Sequence, residues 1–116
     1  PDMKLIIPNF TQNPIAFMRS CGYAFDREIG PVKPTGHGAG AEASCMRRVS
    51  GYDYPRYHAY IHTEKTNDYK LKTKNLIINL HIDQKKPSYG TTAAHSGEYD
   101  GELVEREMKR IRGFIV

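Results

Sequence analysis

The chain predicts an α+β domain: a three-stranded antiparallel sheet over 43–49, 56–63 and 75–83, with helices near 14–21 and 101–112 on one face. Three observations carry that expectation. In Asn75 to Asp83, Leu76, Ile78, Leu80 and Ile82 fall on one side of an extended chain, while Ile77, Asn79, His81 and Asp83 fall on the other. Arg56 to His62 alternates likewise, with Arg56, His58, Tyr60 and His62 opposite Tyr57, Ala59 and Ile61. The third is a closing segment in which Val104, Met108, Ile111 and Ile115 lie near one helical stripe.

Taken in order, Asn13-Pro14 reads as a helix start, a capping side chain followed by proline at the first helical position. Ile15, Phe17, Met18 and Cys21 form its apolar side, and Gly22 is placed to end it in a left-handed cap. Tyr23-Ala24-Phe25 reads as a short extended piece, and 28–42, with four glycines and two prolines, as a long loop. Strand 43–49 carries Cys45 and Val49 as its apolar positions beside Arg47 and Arg48. The turn Gly51-Tyr52-Asp53-Tyr54-Pro55 leads into the His58 strand. A lysine-bearing polar connection, 63–74, precedes the His81 strand, and a second long loop spans 84–99. In the last helix Asp100 is the expected cap. Glu102 and Glu105 each precede a base, Arg106 and Lys109, by four residues, and the acids lie towards its start, as the helix dipole favours.

At 116 residues the chain is a single domain, 1–116, large enough for one core without a metal or disulfide. Hydrophobic residues make up 39% and charged ones 26%, which excludes a disordered chain. No apolar run approaches spanning length, and Lys4-Leu5-Ile6-Ile7 is stopped by Pro8, so neither a membrane span nor a secretory signal is visible. Cys21 and Cys45 lack zinc-pair spacing and are too few for a disulfide framework, which points to buried thiols in a cytoplasmic protein. A formal charge of +4 and a pI near 9.1 favour partners that carry phosphate.

Two resemblances reach these residues. Tyr54-Pro55-Arg56-Tyr57-His58, the run Asn79 to Tyr89 and Ala94-His95-Ser96-Gly97-Glu98-Tyr99-Asp100 resemble an uncharacterised family of short proteins from small-genome candidate-phylum bacteria, which implies no function. The order helix, strands and closing helix, entered through Met18-Arg19-Ser20-Cys21-Gly22-Tyr23, is similar to HicA-type mRNA interferase toxins. That similarity implies a double-stranded-RNA-binding-like fold, α-β-β-β-α, and a catalytic histidine on a central strand, here His58. Arg56-Tyr57-His58 stands where that family has Gly-Ser-His.

The leading expectation is therefore a small basic RNA-binding domain, with His58 and His81 as general acid and base of a ribonuclease and Asp83 orienting a ring. Histidine suits both jobs because it titrates near neutrality. Arg47, Arg48, Arg56, Lys85 and Lys86, interleaved with Tyr57 and Tyr60, have the composition of a single-stranded nucleic-acid platform. His58, His81 and Asp83 are expected to line one concave patch with Arg47 or Arg48 at its edge. Two other classes compete. His81 and Asp83 point the same way and, joined by His58 or His95, would suit zinc or another first-row metal. An open sheet face or edge would instead serve protein interaction, such as a homodimer. Gly36-His37-Gly38-Ala39-Gly40 lacks the Lys-Ser/Thr ending of a phosphate loop.

Overall fold

The computed structural model describes residues 3–29, 42–65, 73–84 and 96–115, with backbone alone over 96–100. Its sheet has five antiparallel strands rather than three. Strands β1 (Met3–Phe10), β2 (Ala24–Glu28), β3 (Ala43–Arg48), β4 (Arg56–Lys65) and β5 (Lys74–Asp83) lie in the order β1-β5-β4-β3-β2. Helices α1 (Pro14–Ser20) and α2 (Ser96–Arg112) complete the chain.

The two strands beyond the expected three are both edges: β2 lengthens the short extended piece expected at 23–25, and neither announces itself as a sheet strand, for a physical reason. β1 is the run that Pro8 was expected to stop. At the sheet edge proline forfeits little, because one side of the strand has no ladder to donate to. The register shifts between Ile7 and Phe10, where Asn9 takes a positive φ of 54°. Leu5 and Ile7, opposite Ile78 and Leu76, are buried on the helix face. β2 has every residue exposed, so its sequence carries no core signal; it is held by backbone pairing to β3. Ile29 N–H then donates to the Glu42 carbonyl at 3.0 Å, so what read as a loop from residue 28 begins as a hairpin.

Both helices pack on one face, as expected. Asn13 accepts from Ala16 N–H at 3.0 Å, and Pro14 opens α1. Gly22, at φ +92°, ends it while Tyr23 N–H returns to the Met18 carbonyl. α2 starts at Ser96, so Asp100 lies inside the helix rather than at its cap. Val104, Met108 and Ile111 are buried, whereas Ile115 lies past the helix end and is exposed. Phe17, Met18, Cys21, Val104 and Ile111 share one core with Ile61, Leu76, Ile78 and Leu80 of the central strands. Both cysteines are free and buried.

A buried carboxylate fastens α2 to the sheet. Glu107 is 3% exposed; it accepts from the Tyr23 hydroxyl at 2.6 Å and from Arg110 Nε at 2.7 Å, and Arg47 Nη1 lies 3.5 Å away. Arg110 also reaches the Cys21 carbonyl. Beside this acid, burial first and then its charge push the Tyr23 hydroxyl well above the usual phenol range. The ion cluster ties α1, β3 and α2 together at the end of the core, a structural role. Among the described residues no helix is long and apolar enough to cross a membrane.

Candidate functional site

The candidate site lies on the sheet face opposite the helices. It is placed by the β3–β4–β5 register. His58 sits directly across from His81, Arg56 across from Asp83, and Ser44 across from Tyr60. Directly opposed positions share a face, so these six side chains are gathered by the ladder itself.

Asp83 stands between the two imidazoles. Its Oδ2 lies 3.2 Å from His58 Nδ1 and its Oδ1 lies 3.0 Å from His81 Nε2. The ring centroids of His58 and His81 are 5.2 Å apart, and the Tyr60 ring lies 4.5 Å from the first and 5.4 Å from the second. Hydrogen bonds from His58, and then from His81, hold the Asp83 carboxyl well below the usual carboxylate range; burial works weakly against them.

On its other side His58 continues into a second carboxylate. Its Nε2 is hydrogen-bonded to Ser44 Oγ, and Ser44 Oγ donates to Asp26 Oδ2 at 3.3 Å. Asp26 reaches this face because β2 shifts register between Phe25 and Arg27 against Cys45 and Ser44, a bulge that re-aims the extra residue. The row Asp26–Ser44–His58–Asp83–His81 thus spans four adjacent strands, from the edge strand β2 through β3 and β4 to β5.

The middle of the row is buried and its ends are not. Ser44 is 0% and His58 6% exposed, whereas the side chains of Asp26, Asp83 and the neighbouring Arg56 are 27%, 28% and 25% exposed. On the His81 side, solvent reaches Asp83 and Arg56 more readily than either imidazole. Arg56 stacks on Tyr54 with 4.6 Å from its Cζ to the ring, Nη1 donates to Met46 Sδ at 3.4 Å, and Nε lies 3.7 Å from Asp83 Oδ2.

The remaining expected residues divide. Arg48 is on the same face, across from Arg56, and its guanidinium is paired with Asp53 at 2.8 Å. Arg47 faces the helices, with Glu107 and the Tyr57 ring as neighbours, so it does not border the patch. Tyr57 is buried in the core, with its hydroxyl 3.5 Å from the Leu103 carbonyl. Alternation along β4 requires this, since His58 and Tyr57 cannot share a face. Lys85, Lys86, His37 and His95 lie outside the described residues. The basic and aromatic set expected to form one platform is therefore split between two faces. Asp26 and Ser44, which sequence reading missed, join the site; a bulge in an exposed edge strand leaves no periodic signal to find them by.

Three chemistries can be weighed on this geometry. Ser44 Oγ, His58 Nε2 and Nδ1, and Asp83 Oδ2 share the connectivity of a hydrolase triad. Ser44 is wholly buried, so no substrate carbonyl reaches its oxygen. Acid–base work by both histidines asks each ring to present a nitrogen to substrate. His58 has both nitrogens engaged and little exposure, which leaves His81 as the ring nearer solvent. Metal binding asks only that ligand atoms converge, and those of His58, His81 and Asp83 all lie within 4.8 Å of one another.

No family model, no curated protein and no solved structure matches this chain.

Proposed function

We propose that the protein is a metal-binding domain whose centre is His58, His81 and Asp83, holding a divalent ion of the zinc class. The observation that carries this reading is the convergence of the His58, His81 and Asp83 ligand atoms, all within 4.8 Å of one another. Hydrogen bonding fits it: with Ser44 donating to Asp26, His58 Nε2–H donates to Ser44 and Nδ1 turns a lone pair towards Asp83, a place filled by a metal ion or by a second ring hydrogen. With the ion bound, Ser44 and Asp26 form the outer hydrogen-bonded chain that orients a ligating histidine.

Ligands at about 2.0–2.1 Å from a tetrahedral zinc ion lie roughly 3.3 Å from one another. The two nitrogen–oxygen separations, 3.2 and 3.0 Å, run to the two different Asp83 oxygens, and the three ligand atoms lie within 4.8 Å, so closing on an ion asks for a small side-chain adjustment. Two paired strands hold the donors, so little chain entropy is lost on binding. Three protein ligands leave a coordination position for water or substrate, as catalytic rather than structural zinc sites do.

Calorimetric titration of the chelator-treated protein with zinc, with manganese and nickel in parallel, tests this. Saturation at one zinc per chain is expected, with a raised melting temperature. Asp83→Asn and His81→Ala should each lower affinity by at least about tenfold, the range seen when ligands or their partners are removed. No uptake of any of the three metals by folded protein sinks the proposal. The same sample would then be examined by proton NMR for a second, slowly exchanging His58 ring hydrogen.

A further inference from the structure

We infer that the ligand of this centre carries phosphate, gripped by the metal on one side and by Arg56 on the other; the inference rests on the metal reading. Arg56 is an unusual guanidinium. Its Nε is buried and lies 3.7 Å from Asp83 Oδ2, an ion pair too long for a hydrogen bond, and Nη1 meets only a thioether, a weak acceptor, which leaves Nη2 for an incoming anion. The stack on Tyr54 nonetheless fixes its plane beside Asp83. A guanidinium fixed in its plane, with its nearest carboxylate at ion-pair rather than hydrogen-bond distance, can take an oxyanion at Nη2.

Charge points the same way. Asp26 and Asp83 bring two negative charges, Arg27 lies 3.5 Å from Asp26, and a divalent ion together with Arg56 therefore leaves the site with positive charge in excess. Arg48 adds nothing, being already paired with Asp53. Metal binding would also draw Asp83 electron density away from Arg56, freeing the guanidinium for an anion. Oxygen count favours phosphate over carboxylate. One contact to Arg56 and one to the metal use up both oxygens of a carboxylate, whereas a phosphate group keeps oxygens and charge for further contacts.

The source of the phosphate is separated by three probes on the zinc-loaded full chain: inorganic phosphate, adenosine monophosphate and a single-stranded RNA oligomer. Parent, Arg56→Gln, Arg56→Lys and Lys109→Gln are compared by calorimetry and phosphorus NMR, with melting curves confirming the fold. Lys109, exposed on α2 and beside Glu105, controls for loss of one positive charge remote from the site. Phosphate binding is expected, weakened about tenfold or more in Arg56→Gln and unchanged in Lys109→Gln, as for loss of a charge-assisted hydrogen bond. Arg56→Lys keeps the charge without the fork and should recover only part of the affinity; it also serves if Arg56→Gln fails to fold.

Preference for one probe names the source: the free anion, a mononucleotide, or RNA. Equal phosphate affinity in parent and both Arg56 variants overturns the inference, as does zinc uptake with no anion binding by any probe. Arg56-dependent phosphate binding to protein that takes up no metal would uphold the anion site and remove the metal centre alone.

Discussion

His58 and His81 face one another across β4 and β5 with ring centroids 5.2 Å apart, and Asp83 is hydrogen-bonded to both. Their surroundings differ, so their substitutions should differ. His58 is buried, and its loss strands Ser44 and leaves Asp83 with one ring fewer. His58→Ala should lower stability by about 2–3 kcal/mol, the cost of unpaired buried polar groups. His81→Ala should cost less than half of that and still lower zinc affinity by at least about tenfold. Urea denaturation alongside zinc titration checks both, and equal stability losses would show that the rings share one structural role.

Glu107 should be the most sensitive charged position. Glu107→Gln keeps an acceptor for the Tyr23 hydroxyl but removes the charge opposite Arg110 and Arg47. Breaking a wholly buried pair costs about 3–5 kcal/mol. Both guanidiniums here are about a third exposed, 32% each, and can turn to water. A loss of about 2 kcal/mol is therefore expected, read by chemical denaturation. A near-neutral result would remove the cluster from the fold's main supports.

The thiols should be silent in the native state. Burial, with the Asp26 charge adding to it, pushes the Cys45 thiol up to about 11, and burial also raises that of Cys21. At about pH 8 little thiolate forms, so iodoacetamide should label both cysteines only through unfolding, at a rate that rises with urea. The sign of the pH effect follows. Above about pH 9 the unfolded chain releases thiol protons that the folded chain keeps, so stability should fall between about pH 9 and pH 11. Cys45→Ala should flatten part of that fall.

Gly22 tests the end of α1. Its φ of +92° is costly for any residue with a Cβ, and such a Cβ would also meet Arg47 Nε at 3.4 Å. Gly22→Ala should lose about 1–2 kcal/mol, as for other strained backbone positions. Asn13→Ala, at the other end of the same helix, should lose about 1 kcal/mol. Thermal melts of the two variants decide whether α1 is held by its ends or by Phe17 and Met18 alone.

How legible the molecule was depends on which face of which strand is asked about. Period-two alternation placed Leu76, Ile78 and Leu80 in the core and His58, His81 and Asp83 on the other face, because side-chain direction is a local property of extended chain. The same rule puts Tyr57 beneath α2, although its ring chemistry suggested a nucleic-acid surface. The α2 stripe and the α1 cap were local too.

Sequence alone thus determined the two-faced central strands, the ends of α1 and the apolar side of α2, since each depends on residues within a few positions of one another. Tertiary structure decided the rest. That β1 lies beside β5 and β2 beside β3 rests on backbone hydrogen bonds, which every residue offers alike and no residue type announces. That Asp26 reaches Ser44 rests on a bulge in an edge strand with no buried side chain. Alternation says which way a side chain points; only the pairing of distant segments says what it points at.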